Sequence, residues 1–104
     1  MRFLVKVTIP VEAGNKMIAG GKLAETMQKI LSDLKPEATY FALSNGQRTV
    51  YLFVNAEKTS DVPAIGEPLW LALNADVEMA PAMTLEDLMA AGPAIEAAAK
   101  KYAS

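Results

Sequence analysis

Asn45 and Gly46 constrain what this chain can fold into more than any other residues. They separate ATYFALS (Ala38–Ser44) from QRTVYLFVN (Gln47–Asn55), two runs rich in β-branched and aromatic side chains. A type I′ hairpin turn needs φ > 0 at both central positions, which Asn followed by Gly supplies at low cost. Register then follows from the loop length: Ser44 faces Gln47, Leu43 faces Arg48, Phe41 faces Val50, Tyr40 faces Tyr51 and Ala38 faces Phe53. One face of the hairpin carries Phe41, Leu43, Val50, Leu52 and Val54. The other carries Tyr40, Thr49, Tyr51 and Phe53, so neither is built for bulk water.

Around this hairpin the remaining elements fall into place. The opening stretch alternates from Arg2 to Ile9, with Phe3, Val5, Val7 and Ile9 on one side, and Pro10 ends it. A helix is predicted from about Ala13–Lys16 to Leu34, with Leu23, Met27, Ile30, Leu31 and Leu34 at helical spacing. Gly20-Gly21 falls inside it, which suits close packing on a sheet and not a phosphate loop, since such a loop joins a strand end to a helix start. After Asn55, Ser60 is the expected N-cap of a helix reaching Leu73, with Val62, Ile65, Leu69 and Leu73 buried and a kink or break at Pro68. Trp70 and Leu71 lie off that stripe and point to a second partner surface. Ala75–Met83 reads as a fourth strand, with Pro81 placing it at a sheet edge. Thr84-Leu85-Glu86-Asp87 forms a capping box with Asp in the Glu position, opening a last helix that Gly92-Pro93 interrupts.

The order is βαββαβ plus a C-terminal helix, an α+β chain of the ferredoxin-like split βαβ arrangement. The expected sheet is antiparallel in order 4-1-3-2, with both principal helices on one face. Residues 1–104 are expected to make a single domain, long enough for a core without staples. The N-terminus reads as a strand and not as a signal peptide, and no apolar run reaches membrane length, so a cytoplasmic location is the default expectation.

Composition narrows the chemistry. There is no histidine and no cysteine, which removes Ser-His and Cys-His nucleophilic catalysis, imidazole acid–base work and thiolate metal sites. A net charge of −2 with dispersed lysines leaves no footprint for nucleic acid. Neither a metal nor a cofactor is expected. Met79, Met83 and Met89 read as core filler, and Glu86-Asp87 as helix capping.

The open sheet face carries the functional expectation. It should gather Leu4, Lys6, Thr8, Tyr40, Thr49, Tyr51, Phe53 and Glu78. Lys6 and Glu78 on neighbouring strands, beside Tyr40 and Tyr51, make either a proton-transfer pocket or a cross-strand ion pair with aromatic packing. Arg48 could hold an anionic ligand or stand solvated near the turn, while Glu67 and Trp70 could edge a pocket mouth or anchor a subunit contact.

The element order, the open-faced sheet and the stretch NGQRTVYLFVNAEKTSDVPAIGEPLWLALNADVEMAPAMTLEDL (Asn45–Leu88) resemble the dimeric α+β barrel group of ferredoxin-like proteins. Within it the chain is similar to a small uncharacterised bacterial family, distantly muconolactone isomerase-like. The resemblance implies a homodimer or higher oligomer with a small-molecule pocket. Histidine-dependent and haem-dependent members of the group share no such residue with this chain, and no catalytic residue is carried over. Two function classes follow. One is a self-associating domain that holds a small organic ligand at the open sheet face. The other is a cofactor-independent isomerase or monooxygenase acting on a small aromatic or lactone-like metabolite.

Overall fold

The computed structural model describes residues 1–103. Four strands, β1 (Arg2–Ile9), β2 (Ala38–Ser44), β3 (Gln47–Asn55) and β4 (Asp76–Pro81), form one antiparallel sheet. Strand β1 lies between β3 and β4, and β2 flanks β3. The sheet therefore runs β2-β3-β1-β4 from the β2 edge, and 4-1-3-2 when counted from β4. The hairpin forms as the Asn-Gly pair dictates. Asn45 and Gly46 adopt φ of 53° and 75°, and each expected cross-strand pair from Ser44–Gln47 to Ala38–Phe53 is present.

Helices α1 (Val11–Ala19), α2 (Leu23–Leu34) and α3 (Asp61–Leu73) cover one sheet face. Val5 and Val7 are fully buried there, with Ile9, Val50, Leu52 and Val54 beside them and Met27, Ile30, Ile65, Leu69 and Leu73 descending from the helices. This architecture is α+β and compatible with a ferredoxin-like arrangement.

Several expectations need correction. The long first helix is two helices. Gly20 and Gly21 separate them, and Gly21 takes φ +69° with open space around its Cα. Its role is conformational, because a left-handed residue breaks the helix, and no close packing is involved. The close approaches are at Gly14, which sits under Arg48, and at Gly66, which sits under Trp70. Pro68 neither breaks nor ends α3, which runs through it to Leu73. Val62, expected in the buried stripe, is exposed on its first turn. Phe41 and Leu43 point to the helix side as expected, yet they are 63% and 73% exposed, because β2 is an edge strand beyond the reach of α2.

The capping box at Thr84 is formed. Its Oγ accepts from the Asp87 N–H at 3.1 Å, and Asp87 Oδ2 accepts from the Thr84 N–H at 3.0 Å. It opens α4 (Leu85–Ala90), and α5 (Gly92–Tyr102) follows. Neither α4 nor α5 buries a residue, so Met83 and Met89 stay exposed and do not fill the core. The molecule measures 58 × 28 × 21 Å with a radius of gyration of 17.3 Å. A compact domain of this length has a radius near 13 Å. The C-terminal helices stand off as an arm.

Ser60 does not cap α3, because its backbone is already helical and a cap residue needs an extended one. Asp61 takes over the tie at this end. Its Oδ2 accepts the backbone N–H of Glu57 at 2.9 Å and of Lys58 at 3.1 Å. Those two bonds hold its pKa below the ordinary aspartate value of 3.8. A depressed folded pKa contributes stability that is complete above the unfolded value and is lost as pH falls through the folded one. Asp61→Asn should therefore lower the urea midpoint at pH 7, and the gap to wild type should narrow once pH drops below 3.8. Urea titrations at pH 7 and in strong acid check this, and a gap of equal size at both would refute it.

Candidate functional site

Side-chain alternation assembles the site. With Val5 and Val7 sealed under the helices, Lys6 must project from the opposite face of β1. The register sets Lys6 against Tyr51 on β3 and against Glu78 on β4, and Tyr51 against Tyr40 on β2. Tyr40, Tyr51, Lys6 and Glu78 thus form one row across all four strands, about 14 Å long at the usual strand spacing. Lys6 Nζ lies 3.9 Å from Glu78 Oε2. The Glu78 side chain is 74% exposed, so that ion pair is open to water and screened.

Apolar surface flanks the row. Phe53 and Leu4 are paired neighbours on the same face, half-buried, and Tyr40 is 63% exposed at the β2 edge. Thr49, expected on this face as an open polar position, is buried between Thr8 and Ala42 and donates its hydroxyl to the Gln47 carbonyl at 3.0 Å. A shallow recess at the lower end of the face is lined by Ala38, Tyr40 and Phe53 from the sheet and by Met83 and Thr84 from the chain leaving β4. No group of three or more His, Cys, Asp or Glu residues placed to hold a metal ion occurs among the described residues.

The other three expected site residues lie elsewhere. Arg48 shares its side of the sheet with Leu43 and Val50, so it projects to the helix side. There it crosses Gly14 and donates to Asn15 Oδ1 at 2.9 Å. Glu67 and Trp70 sit on the outer surface of α3, away from the row. Trp70 folds back along its own helix over Gly66.

One tie escaped sequence reasoning. The Arg2 guanidinium pairs with both Glu37 carboxylate oxygens, Nη2 to Oε2 at 3.2 Å, beside the lower end of the open face. Hydrogen bonding to Arg2 holds the Glu37 pKa below its ordinary value, and the same bond raises that of Arg2. The signal was available in the register. Arg2 pairs with Asn55 and the Glu37 N–H binds the Phe53 carbonyl, so both flank the end of β3.

Comparison with protein-family models gives no match, and a search of curated proteins gives none either. No helix of the described residues is long and apolar enough to cross a membrane.

The Trp70–Gly66 contact is directly testable, because Trp70 is the sole tryptophan. A Cβ on residue 66 would come within 2.6 Å of the indole ring. The ring edge is partly exposed and can swing outward, while alanine gains about 1 kcal/mol of helix propensity over glycine. Gly66→Ala should shift tryptophan emission to the red with little loss of thermal stability. Unchanged emission would show that Trp70 does not rest on Gly66.

Proposed function

We propose that this chain is a self-associating domain of the ferredoxin-like, dimeric α+β barrel type. Two copies pack their open sheet faces together and hold a small organic ligand against the Tyr40–Tyr51–Lys6–Glu78 row. The observation that carries this reading is the row itself. It joins two phenols, a cation and a carboxylate, flanked by Phe53 and Leu4, on the face of the sheet away from the helices. Soluble monomers rarely leave an aromatic face of this extent wet. A second copy would remove it from solvent, and the phenols and the ion pair would then supply the few polar contacts that orient a ligand in an otherwise apolar pocket.

The same row supports a second reading, a cofactor-independent isomerase or monooxygenase acting on a small aromatic or lactone-like metabolite. In that role Glu78 would move a proton, Lys6 would balance its charge and a tyrosine would donate to a substrate oxygen. With Glu78 so exposed in one chain, the dry surround such chemistry needs would have to come from the second copy.

Sedimentation velocity over a concentration series tests the shared premise. A dimer is expected. Tyr40→Glu should weaken it at least about tenfold, or 1.4 kcal/mol, while the melting of the dilute monomer stays near wild type. A wild-type chain that remains monomeric at its solubility limit would overturn both readings. Lys6→Met combined with Glu78→Gln separates them once a ligand is in hand. Retained fold and dimer with lost turnover favours the enzyme, and weakened binding without any turnover in wild type favours the binding domain. An exposed pair of this kind carries less than about 1 kcal/mol, so the double variant should fold.

A further inference from the structure

The C-terminal arm is the largest feature of the chain that its own body does not use. Helices α4 and α5 bury nothing, and the 11 residues of α5 fall short of the 12–15 or so that an isolated helix needs to hold together in water. Yet the arm has a defined apolar side. Leu85, Leu88 and Met89 recur at i, i+3 and i+4, and Ile95, Ala98, Ala99 and Tyr102 repeat the pattern over two turns. The five large side chains at Leu85, Leu88, Met89, Ile95 and Tyr102 are 45% to 76% exposed. Glu96 and Lys100 pair at 3.4 Å on the other side of α5, which marks that side as the wet one.

A receptor for this stripe exists elsewhere on the fold. Leu23, Met27 and Leu31 of α2 face Phe41 and Leu43 of β2 across an open groove of about 740 Å³, whose one charged lining residue is Arg48. The α2 wall of the groove, from Leu23 to Leu31, is about 12 Å long, and the α5 stripe from Ile95 to Tyr102 is about 10.5 Å long at 1.5 Å per residue. An amphipathic helix laid in an apolar groove is a common recognition mode.

The chain's own arm and groove lie on opposite sides of the sheet. The groove opens on the helix side, where Phe41 and Leu43 point. The arm leaves on the open-face side, where Met83 and Thr84 share a recess with Tyr40 and Phe53, and the Ala82 N–H is bonded to the Arg2 carbonyl at 3.0 Å. The arm thus starts at the rim of the face across which a second copy is proposed to pack, and that copy would lie alongside it.

We propose that the C-terminal arm is an exchanged clamp: α5 of each chain reaches around a second copy and lays Ile95, Ala98 and Tyr102 into that copy's α2–β2 groove. The inference rests on the self-association proposed above and deepens it. Exchange about a two-fold axis is reciprocal, so two grooves are filled by two arms and the assembly closes as a dimer.

The absence of cysteine makes the test direct, because introduced thiols have no native competitor. Ile95→Cys chains are mixed with Leu31→Cys or Leu43→Cys chains, which place thiols toward opposite ends of the groove, and the mixture is oxidised. The expected product is a disulfide-linked heterodimer with at least one of the two. In parallel, Ile95→Asp is expected to raise the dimer dissociation constant at least about tenfold, without changing the circular dichroism of the β-sheet body. A wild-type dimer that gives no mixed disulfide and is indifferent to Ile95→Asp overturns the clamp and leaves the face-to-face dimer standing. An intrachain disulfide at high dilution, in a chain carrying both cysteines, likewise overturns exchange. A wild-type monomer overturns clamp and dimer together.

Discussion

Strand β1 is hydrogen-bonded along both edges, to β3 on one side and β4 on the other, and its alternate side chains divide the molecule. Val5 and Val7 are sealed among the helices, and Lys6 between them cannot be. Because the side-chain period of a strand is two, a slip of one residue would bury Lys6 and expose both valines. Burial of that pair therefore fixes the register of the whole sheet. It also sets Lys6 beside Tyr51 and Glu78, so the energetics of the core and the composition of the open face have one origin.

The imbalance between the two faces has the same origin. Three helices are enough to cover one side of four strands, but they do not reach the β2 edge, and the last two helices do not cover the other side. What remains is an aromatic sheet face, an apolar groove beside β2 and an amphipathic arm. A single chain leaves all three exposed, and the two-chain assembly proposed above would cover all three.

How much of this was legible in the sequence depended on whether the relevant forces were local. The hairpin was readable to the residue, because turn geometry and strand alternation are properties of adjacent positions. The row Tyr40–Tyr51–Lys6–Glu78 followed from that register and from the alternation of β1 and β4. Alternation alone also excludes Arg48 from the row, since a residue opposite Leu43 shares Leu43's side. Gly20-Gly21 was misjudged because a glycine tolerated within a helix and one that breaks it by a positive φ leave the same trace in sequence. Met83 and Met89 were assigned to the core on hydrophobicity, which reports a preference for burial and not which surface supplies it. Trp70 and Leu71 were placed correctly off the buried stripe, because helical phase is again local.

The two free edges of the sheet are guarded unequally. Strand β4 carries Asp76, Glu78 and a terminal proline, each of which discourages another strand from adding. Strand β2 reads Ala-Thr-Tyr-Phe-Ala-Leu-Ser, with no charge, no proline and most of its length exposed. Uncharged segments rich in aromatic and β-forming residues template cross-β growth when their backbone is bare. An arm seated in the groove beside β2, as proposed, would also stand guard over this bare edge, and its removal would show first as fibrils and not as a slack fold.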